Sequence, residues 1–228
     1  MSHMESRPAD PTFCAIVLAD GYSSRMNLWK PEIRIDDIPL IVHALKPAVS
    51  ICQQILIIGG YQFVKLVQLI RECDKLAKGD FQKMSFVENK NYATGMFSSV
   101  KAGMAKVGQS IEGVFIVPGD MPFIQIETYK RLAESFRRHP EIDVFTPVTT
   151  VDPQGATEPA RTKKGHPILL RQRMQASILR ENDEAVLRDV VKNNSAEICA
   201  VEDKGICIDI DVESDLALHS SYFKQGRV

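Results

Sequence analysis

Five residues able to bind a phosphate group follow the first apolar segment of the chain: Gly21, Ser23, Ser24, Arg25 and Lys30. A glycine lets the backbone approach an anion closely, and successive backbone amides together with serine hydroxyls can donate to phosphate oxygens. Arginine offers a planar pair of donors, and lysine offers a compact positive charge. The spacing matches neither the P-loop nor the dinucleotide-binding fingerprint. These residue types therefore predict a polyphosphate-binding loop, with an ordinary turn that carries two solvated cations as the alternative.

Two further positions have chemistry suited to the same ligand. Asp120 follows the apolar segment 113–117, and a carboxylate at the end of a strand is well placed to bind Mg²⁺. The alternative for Asp120 is capping of the helix that follows it. A helix predicted to begin near Gly95 would present its N-terminus, which favours a bound anion. An ordinary capped helix start is the alternative there.

The elements that must position these residues alternate between short apolar segments and amphipathic ones. We predict strands at 13–18, 54–58, 84–87, 113–117, 144–148, 167–170 and 206–210, and helices at 39–50, 63–76, 95–107, 126–136, 172–180, 183–193 and from about 213. This α/β order, with strands that are apolar along nearly their whole length, indicates a mostly parallel sheet covered by helices. Ligands of such sheets bind at the carboxyl ends of the strands, so we expect functional loops after residues 18, 58, 87 and 117.

The composition is that of an ordinary globular protein. A chain of 228 residues, 44% hydrophobic and 25% charged, can bury a sizeable core, and we predict a single domain over 13–224. Residues 1–12 are expected to be a disordered segment or a tag remnant, and 149–165 a mobile surface loop. A net charge of −1 does not indicate nucleic acid, and no apolar stretch is long enough for a membrane span. Five cysteines without paired spacing predict buried, reduced side chains in a cytoplasmic protein.

The segment 18–30 resembles the signature L-A-[AG]-G-x-[SG]-x-R-[MF]-G-x-x-K of the MobA-like NTP transferases. The glycine, the first serine, the arginine and the lysine named above match that signature, as does Met26. Two positions depart from it, because Asp20 stands where alanine or glycine is usual and Asn27 stands where glycine is usual. The resemblance implies a Rossmann-like, three-layer α/β/α fold of the nucleotide-diphospho-sugar transferase kind. It also implies that the nucleotide contacts Leu18, Ala19, Gly21, Ser23, Ser24, Arg25, Lys30, Gly59, Asn89, Gly95 and Ser99.

Four later segments resemble further motifs of the same family, in the same order. The segment 89–100 resembles N-x-x-[WY]-x-x-G-[ML]-x-[ST]-S-[LV], and 118–122 resembles G-D-x-P. The segment 165–170 resembles the G-[HN]-P-[VI]-L of molybdopterin cytidylyltransferases. The last, 208–216, resembles D-[IV]-D-T-P-[ED]-D-[LF] with its Thr-Pro pair replaced. The resemblance implies that Ser98 and His166 contact the acceptor, with a purely structural histidine as the alternative for His166.

The resemblance implies a Mg²⁺-dependent nucleotidyltransferase that moves a nucleoside monophosphate from an NTP, with CTP favoured, onto a phosphorylated acceptor such as molybdopterin. Arg25, Lys30 and Asp120 would be catalytic, and Asp120 would bind the metal with Asp211, or with Asp209 in its place. A molybdenum hydroxylase is then an expected protein partner. One alternative is a sugar- or polyol-phosphate nucleotidyltransferase on the same fold. The other is a non-catalytic accessory or carrier protein of molybdenum enzymes, which the departures at 20 and 27 favour.

Overall fold

The computed structural model of the protein describes residues 10–20, 29–151, 160–211 and 213–218. Its strands are β1 (Phe13–Ala19), β2 (Arg34–Ile35), β3 (Ile38–Pro39), β4 (Gln54–Gly59), β5 (Met84–Glu88), β6 (Gly113–Pro118), β7 (Val144–Val151), β8 (Arg161–Lys164), β9 (Ile168–Arg171) and β10 (Ala196–Ala200). Its α-helices are α1 (Leu40–Ile51), α2 (Phe63–Arg71), α3 (Lys78–Gln82), α4 (Met96–Met104), α5 (Ile126–Arg138), α6 (Gln175–Arg180), α7 (Leu187–Lys192) and α8 (Glu213–Leu218).

β1 lies in the middle of the main sheet, between β4 and β6, and pairs with both in parallel. The order across the sheet is β10-β7-β9-β6-β1-β4-β5, and β8 pairs with β7 outside this path. β5 and β10 are also parallel to their neighbours, whereas β8 and β9 are antiparallel to the strands beside them. The sheet is therefore mostly parallel, as the sequence predicts.

All seven residues of β1 are buried, because helices cover both faces of the sheet. Phe13, Ala15 and Val17 belong to a core cluster that includes residues of α1 and α5. The residues between them belong to a second cluster, with residues of α4 and α6. Since successive side chains of a strand point to opposite faces, each face of β1 packs against its own helical layer. The three-layer α/β/α architecture is confirmed.

The region after β7 differs from the prediction in three places. β8 lies inside the segment predicted as a loop, and its four exposed side chains have no apolar alternation that could indicate a strand. The predicted strand at 206–210 is wrong, since Lys204–Cys207 is a 3-10 helix. The carboxylate of Asp203 accepts the N–H of Gly205 at 2.9 Å and so starts a helical turn there. The position at the sheet edge belongs instead to β10, which the sequence pattern does not predict.

The ends of several helices also differ from the prediction. α4 ends at Met104 rather than near residue 107, and α6 begins at Gln175 rather than near residue 172. α2 ends at Arg71 rather than near residue 76, and the short α3 follows it. The predicted helix 183–193 is reduced to α7. The predictions for residues 1–9, for 152–159 of the loop at 149–165 and for the end of the domain at 224 lie outside the described residues.

The five cysteines are free, and Cys14, Cys52 and Cys199 are buried as predicted. Cys73 and Cys207 are only half-buried, so the prediction is wrong for these two. Burial raises the pKa of the Cys14 thiol to about 12, which keeps this side chain neutral and suited to the core. In the part of the chain that is described, no helix has both the length and the apolar character needed to cross a membrane.

Arg171, at the end of β9, caps the C-terminal end of α5. Its guanidinium donates to the carbonyl of Ile142 at 2.6 Å and to those of Phe136 and His139 at 2.7 Å each, and it lies 3.9 Å from the centroid of the Phe136 ring. Replacing Arg171 with alanine removes this donor from three carbonyls and removes the cation–π contact. We expect unfolding to become easier by about 2 kcal/mol or more. Calorimetry should then show a melting temperature lower by roughly 4–8 °C.

Arg173 provides the matched control, because it contacts the same 140–143 segment from a more exposed position. Its Nε lies 2.5 Å from Asp143 Oδ1, its guanidinium donates to Pro140 O at 3.2 Å and to Glu141 O at 3.0 Å, and 52% of its side chain is exposed. Because water can replace such contacts at an exposed site, and exposed ion pairs contribute about 0–1 kcal/mol, Arg173→Ala should shift the melting temperature less than Arg171→Ala. Equal effects of the two substitutions would show that Arg171 has no special role at the end of α5.

Candidate functional site

The carboxyl ends of β1 and β6 form the floor of a cavity of about 350 Å³. The backbones of these two strands approach closely, since Gly119 N–H donates to Leu18 O at 2.8 Å. A Cβ atom at Gly119 would lie 2.7 Å from Leu18 O and 2.8 Å from Ile41 Cδ1, so the approach requires glycine. The cavity is lined by 18–20, 118–120, Lys30, Pro31, Tyr92, Gly95 and Met96.

Lys30 reaches two carboxylates at the edge of this cavity. Its Nζ lies 3.2 Å from Asp120 Oδ2 and 2.5 Å from Asp211 Oδ1. The segment that carries Asp211 is held to the β6 loop by a backbone hydrogen bond, from Ile210 N–H to Asp120 O at 3.0 Å. Asp215, in α8, accepts the N–H of Asp211 at 2.8 Å. Residues from three distant parts of the chain therefore converge on one ammonium group.

Lys30 remains protonated in this arrangement. Burial opposes its charge, but the hydrogen bond to Asp211 and the attraction of Asp120 outweigh burial and raise the pKa of Lys30. Two carboxylates that share one cationic group can also share a divalent cation. Among the described residues no cluster of three or more His, Cys, Asp or Glu side chains is placed to hold a metal by itself. A metal at Asp120 and Asp211 would therefore need further ligand oxygens from a substrate or from water.

Asp20 is the second carboxylate that lines the cavity, and its residue is only 8% exposed. The hydroxyl of Ser99 donates to Asp20 Oδ2. The side-chain amide of Asn89 donates to the oxygens of Ser99 at 2.7 Å and of Ser98 at 2.8 Å. Burial raises the pKa of the Asp20 carboxyl, the Ser99 hydrogen bond partly offsets this, and Asp120 adds to the rise. A buried row of hydrogen bonds thus runs from the end of β5, through the start of α4, to the end of β1.

The start of α4 is held by the same residues. Gly95 has φ +127°, a conformation that favours glycine, and it immediately precedes the helix. Ser98 Oγ donates towards Gly95 O at 2.8 Å, and Asn91 N–H donates to Asn89 Oδ1 at 2.9 Å. The hydroxyl of Ser98 is therefore committed to the loop, and this side chain does not line the cavity.

Asp183 links the loop before α4 to the helix itself through two hydrogen bonds. Asp183 accepts from Lys101 Nζ at 2.6 Å and from Asn91 Nδ2 at 3.3 Å. Tyr92, which follows, packs its ring against Gly60, where an added Cβ would collide with the ring. The cavity wall at Tyr92 is therefore fixed from both sides.

His166 lies beside β6 rather than in the cavity wall. Its backbone N–H donates to Ile206 O at 3.0 Å, and its ring forms a hydrogen bond with the backbone of Ile116. Burial lowers the pKa of His166, although Asp120 and Asp209 oppose this, so the imidazole is neutral at neutral pH. Its Nδ1 is buried and has no hydrogen-bond partner among the described residues. A structural role explains the Ile116 contact but leaves Nδ1 unexplained.

The structure brings together part of the predicted site. Leu18, Ala19, Lys30, Gly95 and Asp120 line the cavity, and Asp211 reaches it through Lys30. Gly21, Ser23, Ser24 and Arg25 lie outside the described residues.

Other predicted residues lie behind the cavity wall or away from it. Asn89 and Ser99 support Asp20 from behind, and Gly59 packs against Phe63 and Leu66 of α2. Asp209 is exposed, in contrast to the half-buried Asp211. Thus Asp211 is the better placed of the two carboxylates to act with Asp120.

The predicted site residues do not include six of the lining residues, namely Asp20, Pro31, Tyr92, Met96, Pro118 and Gly119. Tyr92 and Met96 both lie in the 89–100 segment, whose motif could have indicated them. Pro31 has no such signal, because its position depends on how the chain returns from the loop after β1. Asp20 was noted only as a departure from the signature, and its buried place in the cavity could not be derived from the sequence.

A family model described as MobA-like NTP transferase domain matches residues 15–198. Molybdenum cofactor cytidylyltransferase of Escherichia coli (strain K12) is 24% identical over 201 residues, covering 88% of this chain and 91% of that protein.

Two solved structures share the fold. Rv0371c of Mycobacterium tuberculosis H37Rv, in complex with manganese, has a TM-score of 0.61 at 16% identity, covering 94% of this chain and 99% of that one. CMP:2-keto-3-deoxy-manno-octonic acid synthetase, in complex with CTP, has a TM-score of 0.69 at 16% identity, with coverage of 94% and 99%. The predicted nucleotide-diphospho-sugar transferase type of fold is confirmed.

Proposed function

The chain belongs to the MobA-like NTP transferase domain family and is a nucleotidyltransferase, and we propose that it transfers CMP from CTP to a phosphorylated acceptor in a Mg²⁺-dependent reaction that releases pyrophosphate. The observation that carries this proposal is the convergence of Asp120 and Asp211 on Lys30 at the edge of a cavity built from strand ends. The name of the E. coli relative and the CTP complex of the synthetase favour CTP. Molybdopterin is the acceptor we favour, in the cytoplasm, with a molybdenum hydroxylase as the recipient of the product.

Transfer of a nucleotidyl group requires an acceptor oxygen in line with the α-phosphorus and a pyrophosphate that leaves on the opposite side. A phosphate monoester is already an anion near neutral pH, so it needs no general base. The protein must instead hold two anions together and neutralise the developing charge. Lys30 is protonated and reaches the cavity, so it can donate to phosphate oxygens. We assign Arg25 to the same phosphates.

The carboxylates fit a magnesium ion. Mg²⁺ is usually bound through one or two protein carboxylates and completes its coordination with substrate phosphates and water. Asp120 and Asp211 supply two carboxylates that meet at one cation. When bound there, Mg²⁺ would supply positive charge to the phosphate oxygens and fix their alignment. Lys30 would then exchange its carboxylate partners for the phosphates.

The first test is a thermal-shift series with CTP, GTP, ATP and UTP, each with and without Mg²⁺. A ligand at a hundredfold excess over its dissociation constant stabilises the folded state by about 2.7 kcal/mol. In a domain of this size we expect the melting temperature to rise by roughly 5–10 °C with CTP and Mg²⁺. Release of pyrophosphate from CTP in the presence of molybdopterin would complete the test.

The other outcomes separate the alternatives. A Mg²⁺-dependent shift with CTP but no turnover with molybdopterin would move the acceptor to a sugar or polyol phosphate. The absence of a shift with every nucleotide would contradict the proposal and favour a non-catalytic carrier. The buried carboxylate of Asp20 is the feature that makes a carrier worth testing, since a carboxylate in the cavity repels phosphate groups.

A further inference from the structure

Asp20 places a negative charge in the cavity, and this charge keeps phosphate groups away from the end of β1. It lines the cavity at the end of β1, and it is one of the few charged side chains that are buried. The phosphates of a nucleotide must lie near Lys30 instead, because like charges repel strongly in a partly buried site. The part of the ligand that approaches Asp20 is therefore not anionic.

The carboxylate of Asp20 is held in place from behind. The hydroxyl of Ser99 donates to Oδ2, and Asn89 donates to Ser99 Oγ at 2.7 Å. A hydroxyl has one proton, so the Asn89 contact leaves Ser99 to donate towards Asp20. This fixes the orientation of a group that could otherwise rotate away from the cavity.

Acceptor capacity remains on Asp20 after these contacts. A carboxylate has about four lone-pair sites, and the described residues supply the Ser99 hydroxyl and the Asp20 backbone amide as donors. Lys30, the cation of the same cavity, is engaged by Asp120 and Asp211. A buried acceptor without enough donors is costly, so a ligand that brings an N–H group is favoured at this position.

We infer that Asp20 is the residue that selects an amino-bearing nucleobase, by accepting a hydrogen bond from the exocyclic amino group. This rests on the proposed function, since it assumes that a nucleotide occupies the cavity with its phosphates at Lys30. Cytosine carries an amino group at C4, whereas uracil carries a carbonyl oxygen at the same position. Asp20 attracts the first and repels the second. The side chains of Tyr92 and Met96 supply the flanking apolar surface that a base needs.

CTP and UTP differ at C4, the position that Asp20 is inferred to contact, and at the adjacent N3, so their relative affinities test the inference. We expect the protein to bind CTP at least about tenfold more tightly than UTP, the effect of one hydrogen bond to a charged group. Asp20→Asn keeps the shape and an oxygen for Ser99, but it adds an amide that can donate to the uracil oxygen. This variant should lose the preference for CTP or reverse it. Titration calorimetry in the presence of Mg²⁺ measures both ratios.

Two further variants are controls for the result. Asp20→Ala removes the acceptor without adding a donor, so it should abolish the preference for CTP, with a smaller gain in UTP affinity than Asp20→Asn gives. Ser99→Ala frees the carboxylate to rotate and should reduce the preference by a smaller factor. The melting temperature of each variant without ligand shows whether it is folded.

Three outcomes would overturn the inference. If the unmodified protein binds CTP but the CTP-to-UTP ratio is the same in all variants, Asp20 does not read the base. If Asp20→Asn weakens both nucleotides equally and also loses Mn²⁺ binding, the carboxylate serves a cation. If the unmodified protein binds neither nucleotide, the proposed function fails as well, whereas CTP binding with an unchanged ratio overturns this inference alone.

Discussion

Replacing Asp120 with asparagine should lower the rate of pyrophosphate release by about 10²–10³-fold, the usual effect of removing one group that stabilises charge in a transition state. The carboxylate lies 3.2 Å from Lys30 Nζ at the edge of the cavity, where the phosphates are proposed to bind. Asparagine has nearly the same shape but cannot offer a charged oxygen to Mg²⁺. The steady-state rate with CTP, Mg²⁺ and molybdopterin is the measurement.

The fold of this variant should persist. The contact that ties residue 120 to the C-terminal segment uses the backbone, since Asp120 O accepts from Ile210 N–H. Lys30 also keeps its bond to Asp211. We therefore expect a melting temperature close to that of the unmodified protein, and a collapse of the fold would make the rate uninformative. An unchanged rate in a folded Asp120→Asn protein would remove this residue from the metal site.

The same assay shows which of Asp209 and Asp211 contributes to the reaction. Asp211 contacts Lys30, whereas Asp209 is exposed. Asp211→Asn should lower the rate by a factor similar to that for Asp120→Asn, and Asp209→Asn should change it little. The reverse result would move the second metal ligand to Asp209.

The fold was predictable because the strands near the middle of the sheet are buried on both faces. β1, β4 and β6 read as continuous apolar segments, and such segments between amphipathic helices indicate a parallel sheet. The edge elements were not predictable in the same way. β8 is four exposed residues held by backbone pairing to β7, and no hydrophobic pattern marks it.

The sequence predicts those residues of the candidate site whose side-chain chemistry allows few roles. Lys30 lies in the motif after the first apolar segment, and Asp120 lies in the motif after the segment 113–117. The structure places Lys30 Nζ 3.2 Å from Asp120 Oδ2. The position of Asp211 depends on how the chain packs far from Lys30 and Asp120 in sequence. The sequence alone does not distinguish Asp211 from Asp209, because both lie in one segment. The contact of Asp211 with Lys30 distinguishes the two, and that contact is a property of the whole fold. The same reason explains why Asp20 was noticed as a departure without a role.

Replacing Lys30 with methionine should produce two opposite changes in binding. The stem of the side chain stays and the ammonium group is lost, so CTP with Mg²⁺ should bind roughly 10–100-fold more weakly, the effect of losing a charge-assisted hydrogen bond to phosphate. A divalent cation alone should bind more tightly, because Asp120 and Asp211 lose the positive charge that they share. Titration calorimetry measures the first change, and Mn²⁺ binding by electron paramagnetic resonance measures the second.

Lys65 is the matched control for this pair of measurements. It contacts the segment that carries Lys30, since its Nζ is 4.9 Å from the centroid of the Trp29 ring, but it is half-exposed and pairs with Glu32 outside the cavity. Lys65→Met removes one positive charge from the same region and should change neither affinity by more than about twofold, since exposed pairs contribute little. Equal losses of CTP affinity in both variants would mean that the overall charge of the region attracts the nucleotide. Weaker Mn²⁺ binding in Lys30→Met would mean that Lys30 does not compete with the metal for Asp120 and Asp211, and the two-carboxylate site would have to be abandoned.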